Sequence, residues 1–255
     1  MNFRSSNPAL RNTFENLEHS NSLTEVMTVK GTVNKTILSL LLVLATASYT
    51  WNMFLDGNTL SNTLMLVGGI GGFVVAIITI FKKEWAPFTV PVYAILEGLF
   101  LGGISAFIAA SVSTNPESSF DSQIVVKAVS LTFGVFFVML FLYRSGIIKV
   151  TNKFKMGVFA ATGGIAIVYL ISFVMSFFGS GLSFLHDSSL LSIGISLFIV
   201  GIAALNLALD FDFIEKGAEA NAPKYMEWYG AFGLLVTLIW LYIEILRLLA
   251  KITRR

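Results

Sequence analysis

The sequence predicts an all-α polytopic membrane protein, and three observations carry that reading. Of 255 residues, 55% are hydrophobic and only 13% are charged, about half the ~25% charge that clothes a soluble domain. Mean hydropathy is +0.79. The apolar residues gather in seven runs, each near the ~20 residues a helix needs to cross ~30 Å of hydrocarbon. Barrel strands would alternate over ~10 residues, and open sheet edges cannot be satisfied in lipid. These runs are longer and do not alternate, so they are helices.

The first span, Thr36 to Leu55, is charge-free between Lys35 and Asp56. It follows a long polar segment and reads as an anchor and not as a cleaved leader. The second runs from about Leu60 to Phe81 and stops at Lys82-Lys83-Glu84. The third, Phe88 to about Ala110, is apolar except for Glu97. The fourth covers Ile124 to Tyr143, with Lys127 at its margin, where it can snorkel, and Arg144 at its end. A fifth falls within the charge-free stretch Met156 to Leu185, and a sixth runs from Ser188 to Phe213. The seventh extends from Tyr225 to Ala250, interrupted by Glu227, Glu244 and Arg247. The resulting division is a polar N-terminal tail (1–33), a seven-helix membrane domain (34–250) and a short C-terminal tail (251–255).

Loop Lys and Arg orient the chain. They occupy the second, fourth and sixth loops, at Lys82, Lys83, Arg144, Lys149, Lys153, Lys155, Lys216 and Lys224, and are missing from the other three. This puts the N-terminus in the cytoplasm. Seven crossings then put the C-terminus outside the cell membrane, although Lys251, Arg254 and Arg255 run against the rule there. Gly68 to Gly72, Gly98, Gly102 and Gly163-Gly164 supply small residues of the kind that let helices approach closely in lipid. Trp51, Trp85 and Trp228 sit near span ends. In the tail, Leu10, Phe14 and Leu17 share a weak amphipathic face.

Composition excludes much chemistry. No Cys is present, and His19 and His186 both fall outside the spans, so thiolate and histidine-cluster metal sites have no ligands. A net charge of +2 gives no nucleic-acid footprint. An intramembrane serine protease lacks a base near its serine, and an aspartyl protease lacks a second Asp, since the seventh span has none. The chain reads as a non-enzyme without a resident cofactor.

Acids inside a bilayer are costly and mark pathways or proton relays. Glu97 lies ten residues into its span, ~15 Å deep, and Tyr93 one turn back can hydrogen-bond it. Asp210 closes a polar and small stripe through Ser192, Ser196, Ala203 and Asn206. Asp212 faces elsewhere and is expected to be solvated, paired with Lys216. Glu244 stands one turn from Arg247, which favours a surface ion pair.

The segments Asn7-Pro8-Ala9-Leu10, Glu97-Gly98-Leu99-Phe100-Leu101-Gly102-Gly103-Ile104-Ser105, Asp210 to Glu215, Ala231-Phe232-Gly233 and Leu246-Arg247-Leu248-Leu249 resemble the Bax inhibitor-1/YccA family over essentially the whole chain. The resemblance implies six helices wrapped around a central seventh. It also implies a pH-sensitive calcium leak, gated by one aspartate on the sixth helix and another on the seventh. Asp210 matches the first, but Thr237 stands where the second falls. The proton sharing between two close carboxylates is thereby lost, and Asp210 must be tuned by desolvation or by a carboxylate from another helix, for which Glu97 is the candidate. The ion- or proton-sensing set is therefore Asp210, Glu97, Thr237 and Glu244, with Ca2+ only as a transient ligand. The same resemblance implies a second role, as a regulatory partner of a membrane-anchored AAA quality-control protease that grips residues 1–33.

Overall fold

The computed structural model describes residues 26–112, 121–179 and 187–254. The amphipathic stretch of the N-terminal tail, both histidines and Arg255 lie outside them. Among the described residues are seven α-helices, each long and apolar enough to cross a membrane. They are α1 (Val29–Leu55), α2 (Leu60–Phe81), α3 (Ala86–Ser111), α4 (Ser122–Arg144), α5 (Asn152–Phe177), α6 (Leu190–Glu219) and α7 (Met226–Thr253). The all-helical, seven-span fold class stands.

Side-chain caps set four of the helix starts. Thr28, Asp121, Thr151 and Ser189 each accept a hydrogen bond from a first-turn amide of α1, α4, α5 and α6, satisfying a donor the helix leaves open. The Thr28 cap starts α1 well ahead of the charge-free run, so Lys30 and Lys35 belong to its first two turns. The helix α6 likewise runs past Phe213 to Glu219, carrying Asp210, Asp212 and Lys216 within one continuous element.

The last helix is the most enclosed. Sixteen of the 28 residues of α7 are buried, against two of the 26 in α5, which makes α7 the most buried helix and α5 the least. The helix α7 packs on α1, α3, α4 and α6, while α2 packs on α3 and α1, and α5 on α6. Lipid tails are as apolar as leucine, so close packing and interhelical hydrogen bonds, not escape from water, hold such helices together.

Glycine placement shows this directly. A methyl group at Gly98 would run into Thr46 and the Val43 carbonyl of α1, and one at Gly102 into the Ala47 carbonyl. On the opposite side, Gly68 of α2 lies against the Leu96 carbonyl and the Phe100 amide of α3. Thus α3 is gripped between α1 and α2 at backbone distance. Gly163 and Gly164 have nothing within 4 Å of where a Cβ would sit. Their expected role in close approach is corrected, because α5 turns that face outward.

Two cations at the end of α7 find partners on neighbouring helices. Lys251 Nζ donates to Ser196 Oγ of α6 at 2.7 Å, and Arg254 donates to Ser111 Oγ at the end of α3 at 2.6 Å. The C-terminal end of α7 therefore lies level with the end of α3 and the start of α6, so α7 traverses the full depth of the bundle. Nearby, outside the spans, the Ser189 hydroxyl donates to Asp187 at 2.8 Å and holds that carboxyl below the usual aspartate range.

Candidate functional site

Glu97 is carried by the stretch of α3 that Gly98 and Gly102 press against α1. Its carboxylate points the other way, toward α2, where a Cβ at Gly72 would stand 2.8 Å from Oε1. The absent side chain at Gly72 is what gives the carboxylate room. The Tyr93 hydroxyl, one turn back, lies beside it, and the Tyr93 ring is fixed edge-on against Phe232 of α7, 5.0 Å between centroids. Glu97 and Thr237 both line a cleft of about 630 Å³ between α2, α3, α6 and α7, whose other walls include Phe73, Phe100, Phe213 and Gly233.

Asp210 meets α7 on the flank of the same wall. Its Oδ1 lies 3.4 Å from where a Cβ on Gly233 would be, and Thr237, one turn on, lies beside it. The other oxygen, Oδ2, is closed off from solvent and has no hydrogen-bond partner. A buried polar atom left in this state is costly and asks for an explanation. Thr237 thus sits beside Asp210, where the family resemblance placed a second aspartate. Glu97 lines the cleft and Asp210 does not; Glu97 lies by Tyr93 and Asp210 by Thr237. Gly233 and Thr237 line the cleft with Glu97, and Gly233 also lies beside Asp210.

Glu244 also departs from its surface reading. It is 2% exposed, because α7 is enclosed at that level. The Tyr169 hydroxyl of α5 donates to its two oxygens at 2.8 and 3.0 Å, and Arg247 lies 3.6 Å away with its guanidinium 5.6 Å over the Tyr169 ring. Asp212 is likewise not solvated. It is buried, and besides the expected Lys216 it binds Lys155 of α5, each at 2.6 Å. With the Asn206 amide donating to Thr162 at 2.9 Å, three polar contacts seven residues apart along α5 (Lys155, Thr162, Tyr169) hold that helix to the bundle.

Sequence reasoning passed over Glu227. It is fully buried and accepts from both the amide and the hydroxyl of Thr28, at 2.9 and 2.8 Å, and from Lys35. Lys224 approaches to 3.4 Å. The spacing that puts Glu227 in the first turn of α7 suggested only a helix end; nothing local pointed to α1, nearly 200 residues earlier. Gly31 is the signal in hindsight, since a Cβ there would collide with the Glu227 carboxylate.

Among the described residues no three His, Cys, Asp or Glu side chains gather closely enough to cage a metal. Within the spans, Glu97 lies by Tyr93, Asp210 by Thr237, and Glu244 by Tyr169 and Arg247.

Seven apolar helices enclosing separately partnered carboxylates define a polytopic helical membrane protein with acids held inside its spans. The sequence model of the Bax inhibitor 1 like family matches residues 7–254. The chain belongs to that family. No curated protein and no solved structure matches it.

Proposed function

We propose that the protein is a cation leak of the cell membrane, passing calcium in a pH-dependent manner, with its N-terminus in the cytoplasm and its C-terminus outside. The observation that carries this reading is the placement of Glu97 and Thr237 on one cleft of about 630 Å³, with the unpartnered Oδ2 of Asp210 buried beside the same stretch of α7. Carboxylate and hydroxyl oxygens suit hard cations such as calcium. Conduction needs sites weak enough to release the ion, and single acids with one hydroxyl neighbour each meet that need better than a cage would. Protonation removes the charge that attracts the cation, so flux falls as the medium becomes more acidic.

The family gives the reading its prior, and the departure at Thr237 gives it its particular form: two separate acids, Glu97 on α3 and Asp210 on α6, in place of one coupled pair. The experiment is calcium entry into liposomes carrying the purified protein, followed with a trapped calcium dye between about pH 6 and about pH 8, a range in which carboxylates in apolar surroundings can titrate. Wild-type flux is expected to rise with pH. Glu97→Gln and Asp210→Asn are each expected to lower it and to flatten its pH profile. Unchanged rate and profile in both variants would overturn the mechanism.

A further inference from the structure

A second cavity, on the other side of α3, plays no part in the proposed conduction. It encloses about 390 Å³ between α1, α3, α4 and α7. Along α1 its lining extends from Leu40 to Asn52, twelve residues or ~18 Å of helix. That length is close to one leaflet of hydrocarbon, half of the ~30 Å core. The volume lies at the lower end of the ~300–1,000 Å³ typical of sites for small ligands, which suits one narrow, elongated occupant.

The chemistry of the lining agrees with that shape. No Asp, Glu, Lys, Arg or His faces the cavity, so it offers nothing to an ion. Its polar pair in mid-groove, Ser105 and Tyr242, satisfy each other at 2.7 Å and tie α3 to α7. Thr132 spends its hydroxyl on the Ala128 carbonyl of its own helix, and the remaining polar residues, Ser48, Trp51 and Asn52, approach the end of α1. A tryptophan and a small amide at a span end are what the headgroup region of a bilayer favours. An apolar trough, polar at one mouth, one leaflet long and walled by membrane-spanning helices, has the form of a lipid molecule.

We infer that this groove binds a single phospholipid, with one acyl chain lying along α1 from Leu40 toward Asn52 and its headgroup region at Trp51 and Asn52. The bound chain completes the packing of α4 and α1 around α7, a role that shell lipids in free exchange cannot fill. The inference does not depend on the cation reading, because neither Glu97 nor Asp210 lines the groove.

The test uses the full chain in phosphatidylcholine vesicles, with one tryptophan kept and the other three changed to Phe. In one protein Trp51 remains; in the other Trp85, which is 56% exposed at a different span end, remains as the reporter of shell lipid. Both are reconstituted in phosphatidylcholine brominated on one acyl chain, which quenches nearby indoles, and then mixed with an excess of unbrominated vesicles and fusogen. Recovery of Trp51 fluorescence is expected to be about tenfold slower than that of Trp85, the signature of a site favoured over the shell by about 1.4 kcal/mol. Equal recovery rates would overturn the inference. A second measurement is the intact mass of the detergent-purified protein. Wild type should carry one phospholipid per chain and Val129→Trp, which fills the groove, should carry none. Equal retention by the two, or a wild type carrying only detergent, would also overturn it. If Val129→Trp fails to fold, the tryptophan comparison decides alone.

Discussion

The Thr28 hydroxyl donates to Glu227 Oε1 at 2.8 Å, joining the first residue before α1 to the first turn of α7 across 199 positions of sequence. Beside this bond the Met27 amide donates to the Ala222 carbonyl at 2.7 Å, and Val26 bridges Pro223. The start of the membrane domain is thereby fastened to the α6–α7 connection. A fully buried carboxylate survives there because Thr28, Lys35 and Lys224 all face it.

Removing one partner of a buried ion pair strands the other charge and costs about 3–5 kcal/mol. Lys35→Met should therefore lower thermal stability sharply, whereas exchange of Lys30, which no described side chain engages closely, should not. Gly31→Ala is expected to act like Lys35→Met, since its methyl group would occupy the space of the Glu227 carboxylate. Thermal aggregation followed by size-exclusion chromatography in detergent reads all three.

The glycines divide into two groups with opposite expected behaviour. Gly98→Ala and Gly68→Ala force α3 away from α1 or α2 and should cost about 1–3 kcal/mol, as overpacking does. Gly164→Ala meets open space and should be neutral or gain up to about 1 kcal/mol from helix propensity. The same thermal assay separates them, and equal loss at Gly98 and Gly164 would show that α3 is not gripped as described.

The peripheral helix α5 depends on its polar contacts. Tyr169→Phe removes both hydrogen bonds to Glu244 and leaves a buried carboxylate without its hydroxyl donor, a loss of about 1–3 kcal/mol. Because the chain has no cysteine, the pair Thr162→Cys and Asn206→Cys can be crosslinked without background. Crosslinking should be efficient in the otherwise native protein and fall when Tyr169→Phe is added. No change on that addition would mean that Glu244 does not help seat α5.

Legibility followed the range of the interaction. Span number, helical character and the close approach at Gly98 and Gly102 were open to the sequence, because each rests on residues within a few turns. Thr237 was marked only by the family resemblance, which set it where a second aspartate falls; nothing in its own helix singled it out. Glu244, Asp212 and Glu227 were misjudged or missed for one shared reason. Each has a nearby base in its own helix or loop, at Arg247, Lys216 and Lys224, which looks like a surface pair. The decisive partners, Tyr169, Lys155 and Thr28, arrive from other helices. Burial of an acid by a distant helix leaves no periodic trace in the acid's own segment.

Orientation has its own test. Arg254 reaches Ser111 and Lys251 reaches Ser196, so the end of α7 shares a face with the end of α3 and the first turns of α6. With the cytoplasmic N-terminus proposed above, a membrane-impermeant maleimide applied to intact cells should label Arg254→Cys and leave Lys82→Cys untouched. Labelling of Lys82→Cys alone would invert the topology.

The central claim is that Glu97 and Asp210 are separate acids on one cation route. Its most direct measurement is calcium flux through the double variant Glu97→Gln, Asp210→Asn in liposomes, beside each single variant and protein-free vesicles. Two independent sites add in free energy, so the double variant should multiply the losses of the singles and fall to the protein-free leak, with no remaining dependence on pH. Wild-type flux and wild-type pH response in a folded double variant would contradict the account.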